Sequence, residues 1–359
     1  MNAHAAAAKW TSLELAEPTG LAFAAGFFFA ARIAIVFFSA RVLGAEPRTG
    51  AALLLALGAL LLLLVCFQSL GHVHRSFGSM LRLSPIAWVF AFLLFSLCSL
   101  AWSATVSLPN SLAYWCGLAS DVAIVVLLLR AGPTPVVAHS ILKGFIAGAC
   151  CIALLAWILP ADPTDLRLGD EEFFNTNQIG NLCAFAILLA QYLMRRKDGR
   201  WKLATGFLVI TLIRSLSKTT LVAFLACEVF LFLRDGSITR KTKLLLFAAT
   251  IVVAGLFWGL FQAYFDIYTT TGNQAETLTG RTVIWATVLD SALQQPILGH
   301  GFDSLWKIIP PFGPDRFEAR HAENEILQQF YAYGVFRSEE RRVGKECEIR
   351  CRSRWSPYH

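Results

Sequence analysis

Nine stretches nearly free of charge run along this chain, at 21–43, 51–67, 86–102, 112–129, 144–159, 177–194, 203–217, 219–233 and 244–263. Several reach the roughly 20 residues an α-helix needs to cross the hydrocarbon of a bilayer. In lipid every backbone amide must be paired within the protein, so only helices and closed barrels can span. None of these runs alternates apolar and polar residues as a barrel strand does. The sequence therefore predicts an all-α polytopic membrane helical bundle of about nine spans. Composition agrees: 56% hydrophobic and only 15% charged residues is too apolar for an average soluble domain.

Seven of the nine cysteines (Cys66, Cys98, Cys116, Cys150, Cys151, Cys183 and Cys227) lie in or beside these runs. Without Cys-x-x-Cys or His-rich spacing they indicate neither a zinc site nor a disulfide framework, and they read as small core residues. The first run is full length and follows Lys9, Glu14 and Glu17, unlike a cleavable signal peptide, so it is expected to remain as an anchor.

Loop charge alternates. Arg75 and Arg82, Arg130 and Lys143, residues 195–202 and residues 234–243 form a basic set, expected to be cytoplasmic by the positive-inside rule. Residues 103–111 carry no charge, and 160–176 set Asp162, Asp165, Asp170, Glu171 and Glu172 against Arg167. These connections should face outward. Counting helices with this alternation puts the N-terminus inside. It puts the turn from Arg214 to Lys218 and the segment 264–336, with its loop 264–325, outside.

From Arg337 the composition changes abruptly, and residues 337–359 look like the translation of a sequencing-library adapter. The native frame is expected to continue differently after Phe336, with at least one further helix, so that 1–336 is the membrane domain proper. The tail contributes +3 of the formal +7 net charge, from seven Lys/Arg and four Glu, leaving +4. That remainder is ordinary loop bias and not a nucleic-acid footprint.

The loop holds the residues suited to chemistry. Arg281 follows Gly280 and opens a helix-like run through Val283, Ile284, Trp285, Val288 and Leu289. This run should break near Pro296 before a turn at Gly299–Gly301, with Phe302 returning to the surface. A guanidinium at a helix N-terminus suits an anion such as a diphosphate, while a lipid-snorkelling arginine is the plain alternative. His321 precedes Glu323, Asn324 and an apolar run (Ile326, Leu327, Phe330, Tyr331) that should form a helix at the membrane. Its imidazole has the proton affinity to take a proton from an acceptor hydroxyl; Glu323 is the other candidate base, and a merely solvated histidine the plain reading. Arg214 and Lys218 are four residues apart around Ser215-Leu216-Ser217, so a continuous helix would put both cations on one face, awaiting an anion. Interface anchoring is the alternative. Arg32, Asp121 and Glu228 lie deeper, where a charge costs roughly 2.5–3.5 kcal/mol on insertion scales, and either a polar path or a helix-holding ion pair explains them. Asn175-Thr176-Asn177-Gln178-Ile179-Gly180 reads as a helix cap.

Gly280-Arg281-Thr282-Val283-Ile284-Trp285, Pro296 through Phe302, and His321-Ala322-Glu323-Asn324 onward to Gly334 together resemble the O-antigen ligase and polymerase family. Trp102-Ser103, Asn177-Gln178-Ile179-Gly180 and Ser217-Lys218-Thr219 resemble its recurring features in the same order. The resemblance covers nearly all of 20–336. It implies a glycosyltransferase of the bacterial inner membrane that moves a glycan from undecaprenyl diphosphate to an acceptor hydroxyl at the periplasmic face, using no nucleotide sugar, metal or cofactor and inverting the anomeric centre. The implied acceptor is lipid A core for a ligase or the growing glycan for a polymerase; a related group glycosylates proteins. The family's loop histidine maps to His321, its loop arginine to Arg281, and its basic residue at the start of the eighth span to Lys218, with Arg214 a turn earlier as a substitute. From a different class, a transporter or flippase using Arg32, Asp121 and Glu228 as a path competes with this reading. A structural scaffold gives no reason for a histidine and basic residues to gather on one face.

Overall fold

The computed structural model describes residues 19–45, 47–71, 75–159, 168, 174–195, 199–236, 278–305, 311–312, 317–318 and 324–337, with single positions between 239 and 262. The helices are α1 (Thr19–Arg41), α2 (Pro47–Gly71), α3 (Phe77–Leu81), α4 (Ser84–Ser99), α5 (Leu108–Ala131), α6 (Thr134–Ile158), α7 (Thr176–Arg195), α8 (Lys202–Arg214), α9 (Lys218–Arg234), α10 (Leu278–Ala292) and α11 (Glu325–Tyr333). One two-residue antiparallel pairing joins β1 (Pro311–Phe312) to β2 (Phe317–Glu318), with Pro311 opposite Glu318. The all-α expectation holds.

Among the described residues four helices, α1, α2 from Thr49, α5 and α6, are long and apolar enough to cross a membrane. The protein is a multi-pass membrane protein. The other expected spans are shorter or less apolar: α4 has 16 residues, α8 has 13 and α9 has 17. At 1.5 Å per residue a helix like α8 reaches about 20 Å, short of a hydrocarbon core of about 30 Å. The ninth run, 244–263, lies almost wholly outside the described residues, as does most of the loop at 264–325.

The chain divides into two units, residues 1–84 with 117–244, and residues 85–116 with 245–359. In the first, α1 lies against α6 through small residues. A Cβ on Gly26 would fall on the Ile141 carbonyl, and one on Gly144 on the Phe23 carbonyl. Ala22, Gly26 and Ala30 repeat every four residues on α1, as Gly144 and Gly148 do on α6, so the two backbones meet closely. In lipid, where apolar burial drives no association, such backbone contact is what dispersion has to work with. Ile146, Ile152, Ile179, Ile187, Leu208 and Leu212 complete a core shared by α6, α7 and α8. Leu60, Leu63, Leu64 and Phe67 of α2 are exposed, as side chains facing acyl chains are.

Arg32 and Asp121 form an ion pair at 3.0 Å, one of the two arrangements the sequence left open for them. The guanidinium also lies over the Phe28 and Phe29 rings. Glu228 accepts a hydrogen bond from Gln191 Nε2 at 2.7 Å, tying α9 to α7. The Arg75 amide donates to the Arg130 carbonyl, and Arg195 pairs with Asp235 at 3.3 Å, so the basic connections meet two by two. The core reading of the cysteines needs correction. Cys183 is buried, but Cys98, Cys116, Cys151 and Cys227 are exposed, because an apolar thiol is equally at home against lipid.

The second unit has its own small core, in which Ile284, Val288 and Ala292 of α10 meet Leu305 and Tyr331. α10 and α11 therefore form on the two apolar runs expected of them.

Candidate functional site

The turn between α8 and α9 carries two of the five expected site residues. Arg214 closes α8 and Lys218 opens α9, and between them Leu216 takes a left-handed φ of 54°. The helix does not continue, so the shared face that a continuous helix would give does not form, and the expected turn does, with a cation on each side of it. Arg214 sits where a helix C-terminus favours a cation, whereas exposed Lys218 sits at an N-terminus, whose partial positive charge adds to its own.

Side-chain amides of α7 hold this turn through the buried hydroxyls of Ser217 and Thr220. Ser217 Oγ donates to Asn177 Oδ1 at 2.7 Å, and Thr220 Oγ1 donates to Asn181 Oδ1 at 2.7 Å. The two hydroxyls lie 2.9 Å apart. Asn175 caps α7 as expected, its Oδ1 accepting from the Asn177 amide at 2.8 Å. Capping alone does not account for the Asn-rich motif, however. Asn177 and Asn181 lie one turn apart on α7 and brace the turn that carries Lys218. The four-residue spacing of the two asparagines was the available signal, and nothing local names their partners.

In the second unit Arg281 lies in the first turn of α10. That helix ends at Ala292, and the chain turns through Pro296 to Gly299 (φ 66°), Gly301 (φ 87°) and Asp303 (φ 58°). A Cβ on Gly301 would stand 2.5 Å from Ser103 Cα. Phe302 is buried and does not return to the surface. Its amide donates to Ser99 Oγ at 3.0 Å and its carbonyl accepts from Ser103 Oγ at 2.6 Å. The Ala104 amide donates to the His300 carbonyl at 2.9 Å. On the other side the His300 and Gly301 amides donate to the Tyr331 and Ala332 carbonyls of α11, both at 2.9 Å. The His300 ring stacks on Tyr331 at 4.4 Å and its Nε2 donates to the Ser291 carbonyl at 2.8 Å, so this histidine is a structural clasp. Burial pushes the Tyr331 hydroxyl up from its ordinary value, partly offset by a hydrogen bond with Ser304.

Asp303 follows this clasp. Ser111 Oγ donates to its Oδ2 at 2.7 Å, and Thr105 Oγ1 lies 2.5 Å from Ser111 Oγ. Burial pushes the Asp303 carboxyl up from 3.8, and the Ser111 bond opposes that in part. Sequence reasoning did not single out this residue.

Asn324 caps α11, its Oδ1 accepting from the Leu327 amide at 3.3 Å. Trp285, Leu289, Leu327 and Phe330 line a shallow apolar groove between α10 and α11. His321 and Glu323, just before Asn324, lie outside the described residues. Of the five expected site residues, Arg214 and Lys218 are brought to one turn of the first unit and Arg281 to a helix of the second.

The family described as O-Antigen ligase matches residues 203–336, a range that includes Arg214, Lys218, Arg281, His321 and Glu323. The Exopolysaccharide production protein ExoQ of Rhizobium meliloti (strain 1021) is 26% identical over 235 residues, which cover 61% of this chain and 52% of that relative. The chain thus spans about half the length of the curated relative it matches. The resemblance read from the ordered motifs is borne out by these matches, and residues 203–336 carry the O-antigen ligase family's sequence pattern.

Proposed function

We propose that the protein transfers a glycan from undecaprenyl diphosphate to an acceptor hydroxyl at the periplasmic face of the bacterial inner membrane. The observation that carries this is the O-antigen ligase match over 203–336, in a multi-pass chain whose candidate cations and histidine all fall inside that range. In the reaction the acceptor oxygen bonds to the anomeric carbon as the bond from that carbon to the diphosphate oxygen breaks, with inversion. Negative charge collects on the leaving diphosphate, where Arg281 and Lys218, with Arg214 nearby on its turn, would neutralise it. His321 takes the acceptor proton or orients the hydroxyl, and Glu323 is the alternative base.

Lipid A core is the first acceptor proposed. The growing glycan is the second, and a specific observation favours it, since the similar Rhizobium protein is named for exopolysaccharide production. The test replaces the gene at its own locus with Arg281→Ala and His321→Ala alleles. Lipid-linked polymer that builds up without reaching lipid A core identifies a ligase. Accumulated single repeat units identify a polymerase. Unchanged transfer in both alleles removes the transferase reading and leaves a transporter or flippase.

A further inference from the structure

The geometry points to a glycan-binding subsite formed by Asp303 and Tyr114, in which the carboxylate accepts sugar hydroxyls and the ring packs against a pyranose C–H face. It rests on the transferase reading above, and neither residue belongs to the diphosphate or proton-transfer groups assigned there.

Ser111 and Tyr114 are three residues apart in the first turns of α5 and so share one helix face. Ser111 holds the Asp303 carboxylate at 2.7 Å. Tyr114 stacks on Phe302 with ring centroids 5.5 Å apart and planes 22° from parallel. A carboxylate and an aromatic ring, contributed by positions nearly 190 residues apart, are thereby fixed beside each other. Tyr114 is 63% exposed and Asp303 is half-buried.

Packing alone does not account for Asp303. Asp303 holds a left-handed φ of 58° in this turn, a conformation aspartate adopts more readily than most non-glycine residues. A carboxylate offers about four acceptor sites, and the neutral Ser111 hydroxyl fills one. No ion pair joins Asp303 to a cation among the described residues. Half-buried Thr105 adds a hydroxyl beside Ser111, which is itself fully buried. A ligand with several O–H donors and a flat apolar face satisfies the whole set, and a glycan has both. Phe302, bonded at both its amide and its carbonyl, holds the subsite in place before any ligand arrives.

The experiment uses the full-length protein expressed from its intact gene and purified in detergent. The probe is oligosaccharide released from the same strain's surface polysaccharide and labelled with a fluorophore, its binding read by anisotropy. Tyr114→Ala and Asp303→Asn should each weaken binding tenfold or more, while Tyr114→Phe stays near the parent. Asparagine tolerates the left-handed backbone, and unchanged melting of Asp303→Asn separates lost recognition from lost folding. Lys218→Ala should bind the probe like the parent and lose transfer. Competition by unlabelled lipid A core oligosaccharide assigns the subsite to the acceptor, and competition by repeat-unit oligosaccharide assigns it to the donor. Binding by Tyr114→Ala and Asp303→Asn within twofold of the parent, or no saturable binding by the parent, overturns the subsite. Unchanged transfer in Lys218→Ala and Arg281→Ala overturns the transferase reading and leaves the isotherms to judge the subsite separately.

Discussion

Ser217 and Asn177, 40 residues apart, are joined by the Ser217 hydroxyl donating to Asn177 Oδ1 at 2.7 Å, and this bond connects two of the family-like motifs. A second pair of motifs meets in the same way, where Ser103 Oγ donates to the Phe302 carbonyl across 199 residues. The ordered motifs are therefore structural partners as well as sequence markers.

Thr220→Val should leave Asn181 Oδ1 without its donor and loosen the turn that presents Lys218. Asn181 is exposed, so only the net value of the lost hydrogen bond is at stake, about 0.5–1.5 kcal/mol. Thermal unfolding in detergent should register the loss, and Thr220→Ser should restore both stability and transfer.

Asp121→Ala strands the Arg32 guanidinium among apolar side chains. Breaking a fully buried pair costs 3–5 kcal/mol, but the two side chains here are 36% and 26% exposed, so a loss on the order of 2 kcal/mol is expected. Replacing both residues with leucine should recover most of it, and glycan transfer should persist in the double variant. Transfer abolished in that stable variant would instead support a polar path through the bundle.

Gly26→Leu should separate α1 from α6, because the backbone of Ile141 occupies the space a side chain needs. Overpacking usually costs about 1–3 kcal/mol, and a backbone obstacle puts this change at or above the upper end. Faster proteolysis of the membrane-embedded protein should report it, whereas Gly20→Leu, with open space around its Cβ, should be neutral.

Acidification should stabilise the second unit through Asp303. Its folded-state pKa is raised above 3.8, so between that value and the raised one the folded protein holds more proton than the unfolded chain. Stability from this group is fully present below 3.8 and is lost as pH rises through the folded value. Melting temperatures taken from neutral pH down through the carboxylate range should therefore climb more steeply in the parent than in Asp303→Asn.

Arg281→Ala should lower transfer by a hundredfold or more, the scale seen when a preorganised group at developing charge is removed. Arg281→Lys should recover part of that loss, since charge is kept and the bidentate fork is not. Initial rates on lipid-linked substrate would measure both.

The helical class and several helix positions were legible in the sequence, because lipid forces each backbone amide to pair within its own helix and so makes spans a local property of apolar runs. The breaks at Ser215–Ser217 and Pro296–Gly301 were legible for a similar reason, being carried by residues that disfavour helix or favour turns. Arg32 with Asp121 was within reach, since an intramembrane charge needs a partner. Tertiary structure alone decided that Asn177 and Asn181 brace the Lys218 turn, that Phe302 is buried between Ser99 and Ser103, and that Asp303 meets Ser111 beside Tyr114. Those relationships depend on which helix faces pack together, and hydroxyls, amides and aromatic rings carry no periodic signal that identifies a partner up to 203 residues away.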